Sequence, residues 1–94
     1  MYMRVGPARM DPARIDEDST LVQDIAEAFK QLPGFQSLII GVDRTTGQFI
    51  TVTTWDTEEN ARCSLLTRTD LIARLQAVDV QGDPPELFEV KAQA

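Results

Sequence analysis

An α+β fold, with a four-stranded antiparallel sheet carrying its helices on one face, follows from three features of the sequence. Hydrophobic spacing is helical between residues 15 and 32 and strand-like on either side of that stretch. Two runs rich in β-formers, residues 35–42 and 48–55, flank the turn Asp43-Arg44-Thr45-Thr46-Gly47. The segment Asp56-Thr57-Glu58-Glu59 then has the composition of a helix start. The order is β-α-β-β-α-(α)-β, without internal repeat or linker, so residues 1–94 read as one domain. Such an order is ferredoxin-like.

The opening stretch alternates, with Met1, Met3 and Val5 on one parity, and is expected to end as a strand near Gly6-Pro7. Pro7 removes a ladder donor, which suits a strand end or an edge position. In the first helix Leu21, Ile25, Ala28 and Leu32 share a stripe flanked by Val22 and Phe29. Asp16, Glu17 and Asp18 crowd its expected start, Lys30 lies near its end, and Pro33-Gly34 stops it.

In the hairpin, Gly47 can take the positive φ that closes a short loop. Leu38, Ile40 and Val42 face one way, and Phe35, Ser37, Ile39 and Gly41 the other. On the next strand Ile50 and Val52 oppose Phe49 and Trp55. Asp56 is the expected cap of the second helix, with Glu59 reaching back as in a capping box. That helix runs through Ala61 and Leu65, breaks near residues 67–70, and resumes with Leu71, Ile72, Leu75 and Val78. Residues 81–85 read as a loop, and Leu87, Phe88 and Val90 as the last strand.

Both parities of the hairpin carry apolar residues, yet the helices cover only one face. A chain of 94 residues buries about 64% of its extended surface, so little is left over to cover the second. Sheet-to-sheet homodimerisation, forming a dimeric α/β barrel, is the expected solution. The alternative is that the Ser and Thr side chains keep that face wet enough for a monomer.

Composition excludes several functions. The formal charge is −6, and nine basic residues are scattered without a stripe, so no nucleic-acid partner is expected. No apolar run approaches a bilayer span and Met1-Tyr2-Met3-Arg4 leads into no signal-peptide core, so the expectation is a cytoplasmic protein without membrane contact. There is no histidine, which removes Ser-His-Asp triads, HExxH zinc sites and histidine-ligated iron. Cys63 is the sole cysteine, so no thiolate cluster can form within one chain, and no metal or cofactor is expected. No phosphate-binding glycine loop occurs.

Few residues are left to carry chemistry. Trp55, at a strand end, offers a flat ring and one N–H donor to an aromatic ligand, and serves equally well as a core or interface residue. Tyr2 and Arg4 share a parity and could place a phenol and a guanidinium over one sheet face, to bind an acidic or phenolic ligand. A surface salt bridge would occupy Arg4 just as well. Cys63 has no histidine to activate it and reads as a small hydrophobe. Asp24 and Glu27 look like the wet side of the first helix, and Asp43 with Arg44 like turn residues. A pocket beside Trp55 would have Phe49, Thr51 and Thr53 as neighbours, with Arg4 or Arg44 supplying charge.

The run Leu32-Pro33-Gly34-Phe35, the strand over residues 36–42, the turn over 43–47, the strand over 48–54 and Trp55-Asp56-Thr57-Glu58-Glu59-Asn60-Ala61 together resemble the antibiotic-biosynthesis monooxygenase domain. The resemblance spans nearly the whole chain. It implies a ferredoxin-like subunit dimerised through its sheet, with a pocket between helices and sheet. Some members are cofactor-free oxygenases of phenolic polyketides or quinols, relatives degrade haem, and others have no established activity. Trp55 stands where this family often has a tryptophan. Asn60 lies too late to match the asparagine of the haem-degrading members, and no histidine is present for haem. The resemblance therefore implies either a cofactor-independent monooxygenase or a non-catalytic dimeric binding or regulatory protein for a small aromatic ligand or a partner protein.

Overall fold

A computed structural model describes residues 1–62 and 68–94. Strand β1 (Tyr2–Arg9) leads through a single 3₁₀ turn, Pro12–Arg14, to helix α1 (Leu21–Lys30). The hairpin of β2 (Phe35–Val42) and β3 (Gln48–Trp55) follows, then the short helix α2 (Glu58–Ala61), helix α3 (Thr69–Ala77) and the strands β4 (Gln81–Gly82) and β5 (Glu86–Glu89). All pairings are antiparallel, in the order β2-β3-β1-β4, with β5 also on β1. The last strand is thus one ribbon split in two by Asp83-Pro84-Pro85. Among the described residues no helix is long and apolar enough to cross a membrane.

Several expectations change in detail. Pro7 lies inside β1, a central strand, and not at a strand end or edge. Its missing donor is harmless there because Gly6 and Pro7 fall between the two halves of the split ribbon. The Pro7 carbonyl still accepts from Asp83 N at 2.9 Å. Helix α1 starts at Leu21, six residues later than its periodicity suggests, because Asp16 and Asp18 are drawn into ion pairs with Arg44 and Arg74. Thr57, not Asp56, caps α2, its Oγ1 accepting from Asn60 N at 3.1 Å. Asp56 accepts from the Asn60 amide at 2.8 Å, and its N–H donates to Gly34 O at 3.0 Å. Residues 81–82 pair with Arg9 and Ala8 instead of remaining loop. Leu65, and with it the expected extension of the second helix, lies outside the described residues.

The hairpin turn follows its sequence chemistry. Gly47 has φ +80°, and a Cβ there would sit 1.8 Å from Met10 O. The Asp43 carboxylate accepts from Thr45 N at 2.8 Å and Thr46 N at 3.2 Å. Those bonds hold it below the usual aspartate value.

Register fixes the two faces of the sheet. Arg4 pairs with Thr53, Gly6 with Thr51 and Ala8 with Phe49, and this face lies under the helices. A register shift between Phe35 and Ser37 also turns Phe35 to the helix side, against simple alternation, where its ring meets Trp55 edge to face at 5.6 Å. Two small cores result. One gathers Met10, Leu21, Ala28, Leu71 and Val78; the other gathers Phe29, Trp55 and Ala61. The opposite sheet face presents Met3, Val5, Ile50 and Val52 half-buried, with Ile39 71% and Phe88 45% exposed.

Candidate functional site

Small residues on the helix face of β1 and β3 leave space beneath the helices. Gly6, Ala8, Thr51 and Thr53 are too short to reach α1 and α3 across the layer. A cleft of about 380 Å³ results, with Ile25, Phe29, Ile72 and Leu75 above and Arg4, Gly6, Thr51 and Thr53 below. That is within the ordinary range for a small-molecule site. Gln76 and Asp83 stand on its wall as further polar groups. A Cβ at Gly6 would meet nothing nearer than Thr51 O at 3.9 Å, so the floor is open there without backbone strain.

A smaller chamber of about 90 Å³ adjoins the cleft, between Phe49 and Ile40 of the sheet and Leu21, Val22 and Ile25 of α1. Its charged wall residues are Arg14 and Asp18. Arg14 donates to Ala77 O at 2.8 Å and pairs with Glu17 at 2.6 Å. Asp18 accepts two bonds from Arg74, at 2.7 and 2.8 Å, and Arg74 also reaches Asp24 at 2.6 Å and Thr20 Oγ1 at 2.9 Å. The Arg74 guanidinium holds the Asp18 carboxyl below its usual range.

The residues singled out in the sequence fall in three places. Arg4 lines the cleft, as do Thr51 and Thr53. Tyr2 faces Trp55 across the β1–β3 pair and packs on the second core. Trp55 is fully buried: Phe29 and Phe35 meet its ring edge to face at 6.1 and 5.6 Å, and its indole N–H donates to Thr53 Oγ1 at 2.8 Å. It therefore presents no face for stacking; it sits behind Thr53 and fixes that side chain on the cleft wall. Arg44 is held by Asp16 at 2.9 Å in the hairpin turn, so the cleft's guanidinium is Arg4. Asp24 is engaged by Arg74, and Glu27 by Lys30 at 3.3 Å, both in ion pairs. Cys63 lies outside the described residues. Among the described residues no three His, Cys, Asp or Glu side chains are placed to hold a metal.

Gly6, Gln76 and Asp83 were not apparent from sequence. The first had a signal, since Gly6 and Ala8 share the parity of Arg4 and mark a shallow stretch of floor. The other two come from the end of α3 and from the break in the last strand, and only tertiary folding brings them to the cleft.

This fold, an antiparallel sheet of five strands where four were expected, with a helix layer on one face, is also found in solved structures. This is the fold of the antibiotic-biosynthesis monooxygenases. A Deinococcus radiodurans protein assigned to that group superposes with a TM-score of 0.76 at 20% identity, covering 100% of this chain and 96% of the other. SnoaB, a cofactor-independent oxygenase from Streptomyces nogalater, gives 0.73 at 18% identity, with 98% and 94% coverage. The ActVA-Orf6 monooxygenase of Streptomyces coelicolor, solved with nanaomycin D, gives 0.67 at 18% identity, with 99% and 88% coverage. The sequence itself matches no protein-family model and no curated protein. At these identities the likeness is one of fold.

Proposed function

We propose that the protein is a cofactor-independent monooxygenase of a phenolic or quinol-type aromatic, acting as a cytoplasmic homodimer. The observation that carries this reading is the cleft of about 380 Å³, apolar above, with Arg4, Thr51 and Thr53 below. A flat ring fits between Phe29, Ile72 and Leu75 and the open floor at Gly6, and its oxygen is directed toward Arg4. The cofactor-free chemistry of SnoaB, which shares the fold, supports it further.

The reaction needs an electron-rich substrate. Loss of a phenolic proton gives an anion, which Arg4 stabilises. The anion passes one electron to dioxygen, and the radical pair recombines as a hydroperoxide at ring carbon. Loss of water then completes the oxidation: the ring CH₂ of an anthrone and O₂ become C=O and H₂O, and a ring C–H of a quinol and O₂ become the C–OH of a hydroxyquinone and H₂O, in each case with all four electrons drawn from the substrate. Asp83 on the cleft wall is the group assigned to the proton, while Tyr2, packed on the second core, stands outside the cleft lining. Trp55 is assigned to hold Thr53 in place.

The homodimer is assigned to the helix-free sheet face. That face carries Ile39 at 71% and Phe88 at 45% exposure, apolar surface that a second copy would cover.

Oxygen uptake by metal-free protein with a panel of hydroquinones and anthrones tests the activity. The expected result is one O₂ consumed per quinone formed, lost in Gly6→Val, whose added side chain enters the cleft. No uptake above the buffer rate with any of them would overturn it. A second reading, a non-catalytic binder of the same ligands, is favoured by the closed packing around Trp55 and by the lack of histidine. Saturable binding without oxygen uptake would establish that reading instead.

A further inference from the structure

The cleft and the small chamber are built as neighbours. Ala8, Ile25, Thr51, Leu75 and Val80 line both, so a polar-edged space and an apolar one meet along a shared margin. The chamber's charged wall residues are consumed by partners: Arg14 by Glu17 and the Ala77 carbonyl, Asp18 by Arg74. Among the described residues no buried side-chain polar atom lacks a hydrogen bond. Nothing in the chamber wall therefore asks for a polar group, and an apolar space of this kind stays dry and favours hydrocarbon.

Resting on the aromatic-ligand reading above, we propose that the ligand is a phenol or quinol bearing a short unbranched alkyl chain. Its ring occupies the cleft above Gly6, and its chain passes between Ile25 and Leu75 into the chamber. Size sets the chain length. A dry cavity of about 150 Å³ holds benzene, so the chamber's 90 Å³ holds about three to four carbons by the same proportion. The segment before α1 borders the far side, where Arg74 holds Asp18 and Arg14 holds the Ala77 end of α3. A longer chain exceeds that volume and leaves its end without apolar contact. The chamber would make this a site that measures a substituent as well as recognising a ring.

Calorimetric titration of the full chain with para-alkylphenols from methyl to hexyl, under nitrogen, tests this. Affinity is expected to rise about fourfold per added methylene up to propyl or butyl, then to level or fall. Ile40→Phe, which narrows the chamber from the sheet side, should bring propylphenol back to the affinity of methylphenol while leaving phenol itself unchanged. Val22→Phe, on the α1 wall, serves the same purpose if the first variant does not fold. Affinity independent of chain length would overturn the chamber while leaving the ring site standing. A gain continuing undiminished through hexyl would also overturn it, since that describes an open groove. Absence of binding by every member would overturn both the chamber and the aromatic-ligand reading.

Discussion

Asp56 and Thr57 are both good helix caps, and the local sequence does not choose between them. Gly34 does. Its φ is +77°, and the Asp56 carboxylate packs so closely that a Cβ on Gly34 would lie 2.1 Å from Asp56 Oδ1. With Asp56 engaged there and with Asn60, the capping position moves on by one residue. Thr57→Ala should then lower stability by about 0.5–2 kcal/mol, seen as a lower urea midpoint at constant slope. An unchanged midpoint would mean that the Thr57 hydroxyl contributes nothing to α2. Trp55 shows the same limit. Its place at the strand end could be read from the sequence, but a strand-end tryptophan serves a core as readily as a pocket. Only the positions of Phe29 and Phe35 decide which.

At the scale of elements, α3 is tied to the segment before α1 through Arg74. The pair with Asp18 is about 30% exposed on each side, so its contribution to stability is modest and screened by salt. Its pH dependence has a definite sign. Asp18 is held below its ordinary value of 3.8, so the pair stabilises the folded state above that pH and is lost as pH falls through the depressed value. Arg74→Met should lower the melting temperature at neutral pH, and the deficit should shrink below about pH 4. A deficit constant with pH would show that the Arg74 bond to the Thr20 hydroxyl matters and its pairing with Asp18 does not. Periodicity could not foresee this tie. It marks Asp16, Glu17 and Asp18 as acids near a helix start, but while Glu17 pairs locally with Arg14, the partners of Asp16 and Asp18 are 28 and 56 residues away. The strands β2 and β3, by contrast, begin and end where their β-formers do, because their pairing is local and their turn chemistry is explicit.

For the molecule as a whole, the sheet face without helices is the unfinished surface. Ile39 and Phe88 are its most exposed large apolar side chains, one on β2 and one on β5. The doubly substituted chain Ile39→Glu, Phe88→Glu should sediment as a monomer at tens of micromolar, where the unaltered chain is expected to be a dimer. A monomer in both cases would mean that this face is wetted and unpaired. Alternation was enough to anticipate an apolar second face. The cleft was harder to see, because it depends on what is small at Gly6, Ala8, Thr51 and Thr53 together with how far α3 stands from them.

The two prolines that divide the last strand also bear on the fate of the chain when crowded. A sheet grows into a fibril by adding strands to an unpaired margin, and a margin of two residues followed by Asp83-Pro84-Pro85 offers no continuous ladder to copy. The margin at β2 is different: eight residues long, with Leu38, Ile39 and Ile40 in succession. Runaway strand addition would therefore begin on that side alone, which makes β2 the place where a single charge or proline would do most to keep concentrated protein in solution.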